Sequence, residues 1–203
     1  LLKSGIPKQL ILVKEIEMQP LVPIDVDAKT GVWTTDSLPM LYVPRHFFTN
    51  NHLAVEDALG LEKYSEILYQ AGYKSAYYWC EKEAEKHQLS GMAVFDHYLK
   101  RLSQRGWGLF SFKSVDPATG SAEIKLEYSS FVLAQPEKPG KLCYMFSGWF
   151  AGAMDWVTQE RGHAAHTNCG EANCAETYCA ETQCGGNGHG HCIFTVTPLP
   201  AKA

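Results

Sequence analysis

Six of the seven cysteines fall between Cys143 and Cys192, and five of them between Cys169 and Cys192. The densest part reads Cys169-Gly-Glu-Ala-Asn, Cys174-Ala-Glu-Thr-Tyr, Cys179-Ala-Glu-Thr-Gln, Cys184, a five-residue step with one cysteine and one glutamate in each. On a helix such a step turns successive cysteines by about 140°. On a strand an odd step sends them to alternate faces. The spacing therefore predicts a loop wrapped around something, with glycines at 170, 185, 186, 188 and 190 supplying the positive φ angles that wrapping requires. Thiolates and carboxylates converging on one point are metal-ligand chemistry. Zinc, an iron–sulfur cluster and a set of disulfides are the candidates.

The odd cysteine count and the lack of a visible secretory signal favour metal over disulfides, and with it a reducing, cytoplasmic setting. Four histidines, His163, His166, His189 and His191, lie close enough in sequence to serve as further ligands or as donors behind them. A net charge of −4 with no Lys/Arg cluster excludes a phosphate-binding face, so no nucleic acid is expected. No apolar run reaches the length of a membrane span. No Ser-His-Asp order, phosphate loop or dinucleotide fingerprint appears, so no catalytic residue is assigned.

The elements that must position these side chains are helices first and strands after. Residues 9–18 predict an opening strand, and residues 19–40, with three prolines, an extended arm. Apolar periodicity predicts helices ending at Gly60, at Gly72, near His87 and at Gly106. Alternation over Trp107–Val115 and Ala122–Tyr128 predicts a hairpin, with Ile124, Leu126 and Tyr128 on one face. A helix follows over Lys141–Gln159, then the cysteine loop, then a closing strand from Cys192. One α+β domain over 41–203 results, a small antiparallel sheet flanked by helices, with the Cys-rich loop 163–192 before the last strand and an arm over 1–40.

These features together resemble the 4-vinyl-reductase domain, which also forms the aromatic-sensing N-terminal domain of some bacterial transcription activators. The resemblance rests on the helix stops, the hairpin, Cys143-x4-Gly148-Trp149-x2-Gly152, and Glu181-x2-Cys184-x7-Cys192 running into a strand. It implies a structural zinc held by Cys143, Glu181, Cys184 and Cys192 beside a ligand pocket. Residues 161–178 depart from the family as an insert that repeats Glu-x2-Cys twice more, at Glu171/Cys174 and Glu176/Cys179. Spacing alone thus leaves the glutamate ligand open among 171, 176 and 181. Cys169, Cys174 and Cys179 become candidates for a second metal or an iron–sulfur cluster; otherwise they are redundant loop residues. Cys80, beside Trp79 in a helix, reads as core.

Tyr77, Trp107 and Trp149 are the candidate pocket residues, although aromatics at helical and strand spacing are most often core. The expectation is a metal-binding module without catalysis of its own. It would bind a small apolar or aromatic ligand, or serve as an accessory subunit with a protein partner or a second copy. The alternative is an iron–sulfur electron-transfer subunit of an oxidoreductase complex.

Overall fold

The computed structural model describes residues 22–162 and 177–198. The expected strand over 9–18 and most of the insert, with His163, His166, Cys169 and Cys174, lie outside the described residues. Among the described residues no helix is long and apolar enough to cross a membrane.

Three short strands, β1 (Asp25–Val26), β2 (Trp33–Thr35) and β3 (Leu38–Met40), form an antiparallel sheet of their own. The expected irregular arm is therefore a small sheet; strands of two or three residues are too short to show alternation. Helix α1 (Arg45–Leu59) follows, then Gly60 at φ 79°, then α2 (Leu61–His87). Here the structure corrects the sequence reading. Gly72 does not end a helix; α2 runs through it for 27 residues. Glycine inside a helix costs only about 1 kcal/mol, and this one has a packing reason: a Cβ would overlap the indole of Trp149.

Helix α3 (Met92–Gln104) turns Val94, Phe95, Tyr98, Leu99 and Leu102 inward, and β4 (Leu109–Asp116) pairs with β5 (Ser121–Glu127) as the expected hairpin. Ala122, Ile124 and Leu126 face the core from β5. Tyr128 does not continue that face: β5 has ended, and Tyr128 sits at φ 54° and is 74% exposed. A short helix, α4 (Ser130–Ala134), precedes α5 (Met145–Gly162). The helix starts one turn later than the expected Lys141, which leaves Cys143 in the loop before it.

Strands β6 (Thr177–Gln183) and β7 (Cys192–Pro198) complete a four-stranded antiparallel sheet in the order β4-β5-β7-β6. Residues 177–183, expected as loop, are thus an edge strand. Helix α5 is central, packed along α2 on one side and against β6 and β7 on another. The two backbones come close because α5 has glycines at the contact. A Cβ on Gly148 would overlap the Tyr69 carbonyl, and one on Gly152 the Tyr73 carbonyl. Phe146, Phe150, Met154 and Val157 of α5 are fully buried against the sheet, where Phe150 meets Phe194 edge-to-face at 5.0 Å. The result is an α+β fold with the cysteine cluster just ahead of the last strand.

Candidate metal centre and aromatic site

Cys143 comes from the loop entering α5, Glu181 from β6, Cys184 from the turn after β6, and Cys192 from the first position of β7. One donor atom from each lies within 4.8 Å of the others, and all four residues are buried. Glu181 and Cys184 are three apart on one strand and its exit, so a regular ladder would face them oppositely. A β-bulge between Glu181 and Gln183 takes up the odd residue. Cys179 and Glu181 then point inward as period two demands, and Cys184 is brought to the same side.

The Cys143 and Cys192 sulfurs are 3.6 Å apart, those of Cys184 and Cys192 3.8 Å. Sulfurs 2.3 Å from one tetrahedral ion stand about 3.8 Å apart. None of the five described cysteines is in a disulfide. The sulfurs are surrounded by donors suited to thiolates. Leu142 N–H (3.3 Å) and Gly186 N–H (3.4 Å) donate to Cys184, Gly185 N–H donates to Cys192 (3.2 Å), and the Ser129 hydroxyl lies 2.9 Å from Cys143. Of the glycines after Cys184, only Gly188 takes a positive φ. Gly186 serves close approach instead, since a Cβ there would stand 2.6 Å from the Gly140 carbonyl oxygen.

Glu181 carries the clearest sign of an intended cation. Its Oε2 accepts from Cys143 N–H at 3.1 Å, while Oε1 is buried with no hydrogen-bond partner among the described residues. Burial, then the neighbouring Cys184, pushes its carboxyl up to about 9. Hydrogen bonds from Cys143 and Cys192 hold Cys184 well below the ordinary thiol range, and bonds to Cys184 and Cys192 drive Cys143 far above it. Without a cation the four donors share protons, because several buried anions within 5 Å of one another cannot all ionise. The donor set fits one zinc-type ion.

Cys179 is 1% exposed on the inner face of β6, and its N–H donates to the Tyr69 hydroxyl oxygen at 3.2 Å; it is outside the four-donor group. His189 is exposed and His191 half-buried, and neither belongs to the group. Cys80 is fully buried core.

Trp107 and Trp149 meet at right angles, 5.4 Å between ring centres. Phe48, Phe131 and Phe146 close around Trp107 at 5.4, 6.3 and 6.0 Å. Tyr77 stacks instead on Tyr73 at 6.4 Å. The sequence reading misses the polar side of this cluster. His52 of α1 lies 5.0 Å from the Phe131 ring, 3.3 Å from the Tyr64 hydroxyl at Nδ1, and 3.2 Å from the Tyr144 hydroxyl at Nε2. Tyr144 donates to Glu56 Oε2 at 2.6 Å, and Lys138 donates to Glu56 Oε1 at 2.7 Å. These residues come from four places in the chain, so no local spacing signals them. Tyr144, next to Cys143 in sequence, joins this network to the four-donor group.

The fold is thus a helical layer on an antiparallel sheet, with a buried Cys3Glu group beside an aromatic cluster. Among solved structures the chain is similar to the phenol-responsive sensory domain of the transcription activator PoxR with phenol. The TM-score is 0.68 and the identity 16%, over 88% of this chain and 86% of that one. The two share a fold. A trafficking protein particle complex subunit 3 from Naegleria fowleri, covalently bound to palmitic acid, aligns with a TM-score of 0.49 and 12% identity, over 77% and 95% of the chains. A vinyl-4-reductase family protein from Methanocaldococcus jannaschii aligns at 0.47 and 13%, over 79% and 85%. The family described as a domain of unknown function (DUF5943) matches residues 18–113, just under half of the chain. No curated protein matches it.

Proposed function

We propose that this chain is a zinc-stabilised module that binds a small aromatic molecule and has no catalytic activity of its own. The observation that carries the reading is the four-donor cage with its orphaned Glu181 oxygen, set one residue from the network that borders the aromatic cluster. Cys143, Glu181, Cys184 and Cys192 would hold the ion, and a closed-shell zinc bound there supplies charge neutralisation and a cross-link, not a reactive centre. The compactness of the sulfurs supports a single ion, since a cluster places several iron and sulfide atoms between its ligands. The Trp107–Trp149 corner supplies apolar ring faces, and His52 with Tyr144 supplies polar atoms for a hydroxyl. The shared fold with a phenol-responsive domain supports phenols as the first class to test. A cytoplasmic setting goes with this reading, because thiolate ligands persist in a reducing compartment.

Two measurements test this. Cys192→Ser should bind one metal equivalent fewer than the parent by elemental analysis and melt at lower temperature; unchanged metal and melting would overturn the cage. Titration with phenol should change tryptophan fluorescence saturably, and Trp149→Ala should abolish the change. A parent protein with no saturable response to phenol would overturn the ligand class.

A further inference from the structure

Away from the cysteines, helix α2 carries Glu83 with its side chain fully buried and His87 one turn later. His97 of α3 and Asp36 of the β2–β3 turn reach the same point. His97 Nε2 is 2.7 Å and His87 Nε2 3.3 Å from Glu83 Oε2, and His87 Nε2 is 3.2 Å from Asp36 Oδ1. One donor atom from each of the four lies within 4.8 Å of the others. The Asp36 side chain is only 5% exposed, and its turn is held in the left-handed region at Asp36 (φ 53°) and Ser37 (φ 68°), which costs of order 1 kcal/mol or more for each non-glycine residue. Lys86 ties that turn down through the Ser37 hydroxyl. Trp79 stacks on His97 at 5.6 Å and fixes its ring.

An ion-pair network accounts for only part of this. Arg101 donates to Asp36 Oδ1 at 2.8 Å, and Arg105 lies over the Trp79 ring at 5.5 Å. Yet Asp36 Oδ2 and Glu83 Oε1 are buried with no hydrogen-bond partner among the described residues. Two imidazole nitrogens crowd one oxygen of Glu83 while the other oxygen goes without. Hydrogen bonding alone would spread the donors. Convergence on a single point is what a metal ion requires.

We propose that Asp36, Glu83, His87 and His97 form a second site, for a divalent transition metal, separate from the cysteine cage. Two imidazoles and two carboxylates suit zinc, cobalt, nickel, iron or manganese, whereas calcium and magnesium prefer oxygen alone. The guanidinium groups of Arg101 and Arg105 weaken the hold on a cation, so this site fills after the thiolate cage. When loaded it pins the β2–β3 turn to α2 and α3.

The test is equilibrium dialysis of the full chain, first stripped of metal with a chelator, against cobalt(II), with bound metal counted and the spectrum recorded. Cobalt in the cysteine cage brings thiolate-to-metal charge transfer in the near ultraviolet; cobalt at the second site adds an equivalent without it. The double variant His87→Gln, His97→Gln keeps amide donors toward Glu83, so it should fold, as thermal melting verifies. It should lose that equivalent, its affinity falling more than the roughly 100-fold that accompanies loss of a supporting partner alone. The charge-transfer band should be unchanged. The proposal is overturned if the parent protein binds no equivalent lacking charge transfer, or if the double variant retains it. Binding without any charge transfer, lost in the double variant, would sustain this site and overturn the cysteine cage.

Discussion

Glu181 has one oxygen tied to the Cys143 N–H and the other buried without a partner, and that asymmetry makes it the most informative single residue in the chain. Glu181→Gln keeps the shape and removes the charge. It should therefore leave the fold intact and weaken metal binding at least about tenfold, as read by competition with a chelator. His52 gives a second residue-scale prediction. Burial lowers its pKa below the ordinary 6.5, against the attraction of Glu56 and with the help of Lys138; the Tyr64 and Tyr144 hydroxyls face its two nitrogens. The folded state thus favours the neutral ring. The stability this lends is present above pH 6.5 and is lost as pH falls through the folded value. Melting temperatures should drop below that pH, and His52→Gln should flatten the drop; an equally steep drop in the variant would count against His52. Of these residues, spacing alone left Glu181 as one of three equivalent glutamates, because the pentad repeat gives each the same local pattern, and only the family resemblance singled it out. His52 had no motif at all, its partners being 12 and 92 residues away.

Helix α2 and helix α5 meet through Gly72, Gly148 and Gly152, and here small residues are a packing requirement. Gly152→Val forces a side chain into the Tyr73 carbonyl and should destabilise the protein by about 3 kcal/mol, at the upper end of what overpacking usually costs; urea unfolding would measure it. A loss under about 0.5 kcal/mol, the size of an ordinary surface change, would mean the helices can part. Helix existence was readable from periodicity, and so was the β4–β5 hairpin, whose inner residues Ala122, Ile124 and Leu126 alternate cleanly. The break at Gly72 was misplaced because a local helix stop and a tertiary contact call for the same residue. The strand over 177–183 was hidden for a related reason. The five-residue step contradicts period two unless a bulge absorbs one residue, and bulges leave no mark in sequence.

Across the whole molecule, the α+β class and the cluster before the last strand followed from order and spacing, while the small N-terminal sheet and the Asp36 turn did not, since their strands are too brief. Trp107 and Trp149 meet at right angles, while Tyr77 stacks on Tyr73. The cage also has a temporal meaning. Cys143, in the loop before α5, meets Glu181 and Cys192, 38 and 49 positions further on at the two sides of the β6–β7 turn. No part of the chain can present all four donors until α5 and the last two strands have docked. On the proposed reading the ion would be captured only once these elements have docked, late in folding. Stabilisation acquired that late slows escape from the native state without hastening arrival. In stopped-flow experiments a chelator should raise the unfolding rate and leave the refolding rate nearly unchanged, so that the ion acts as a latch on lifetime.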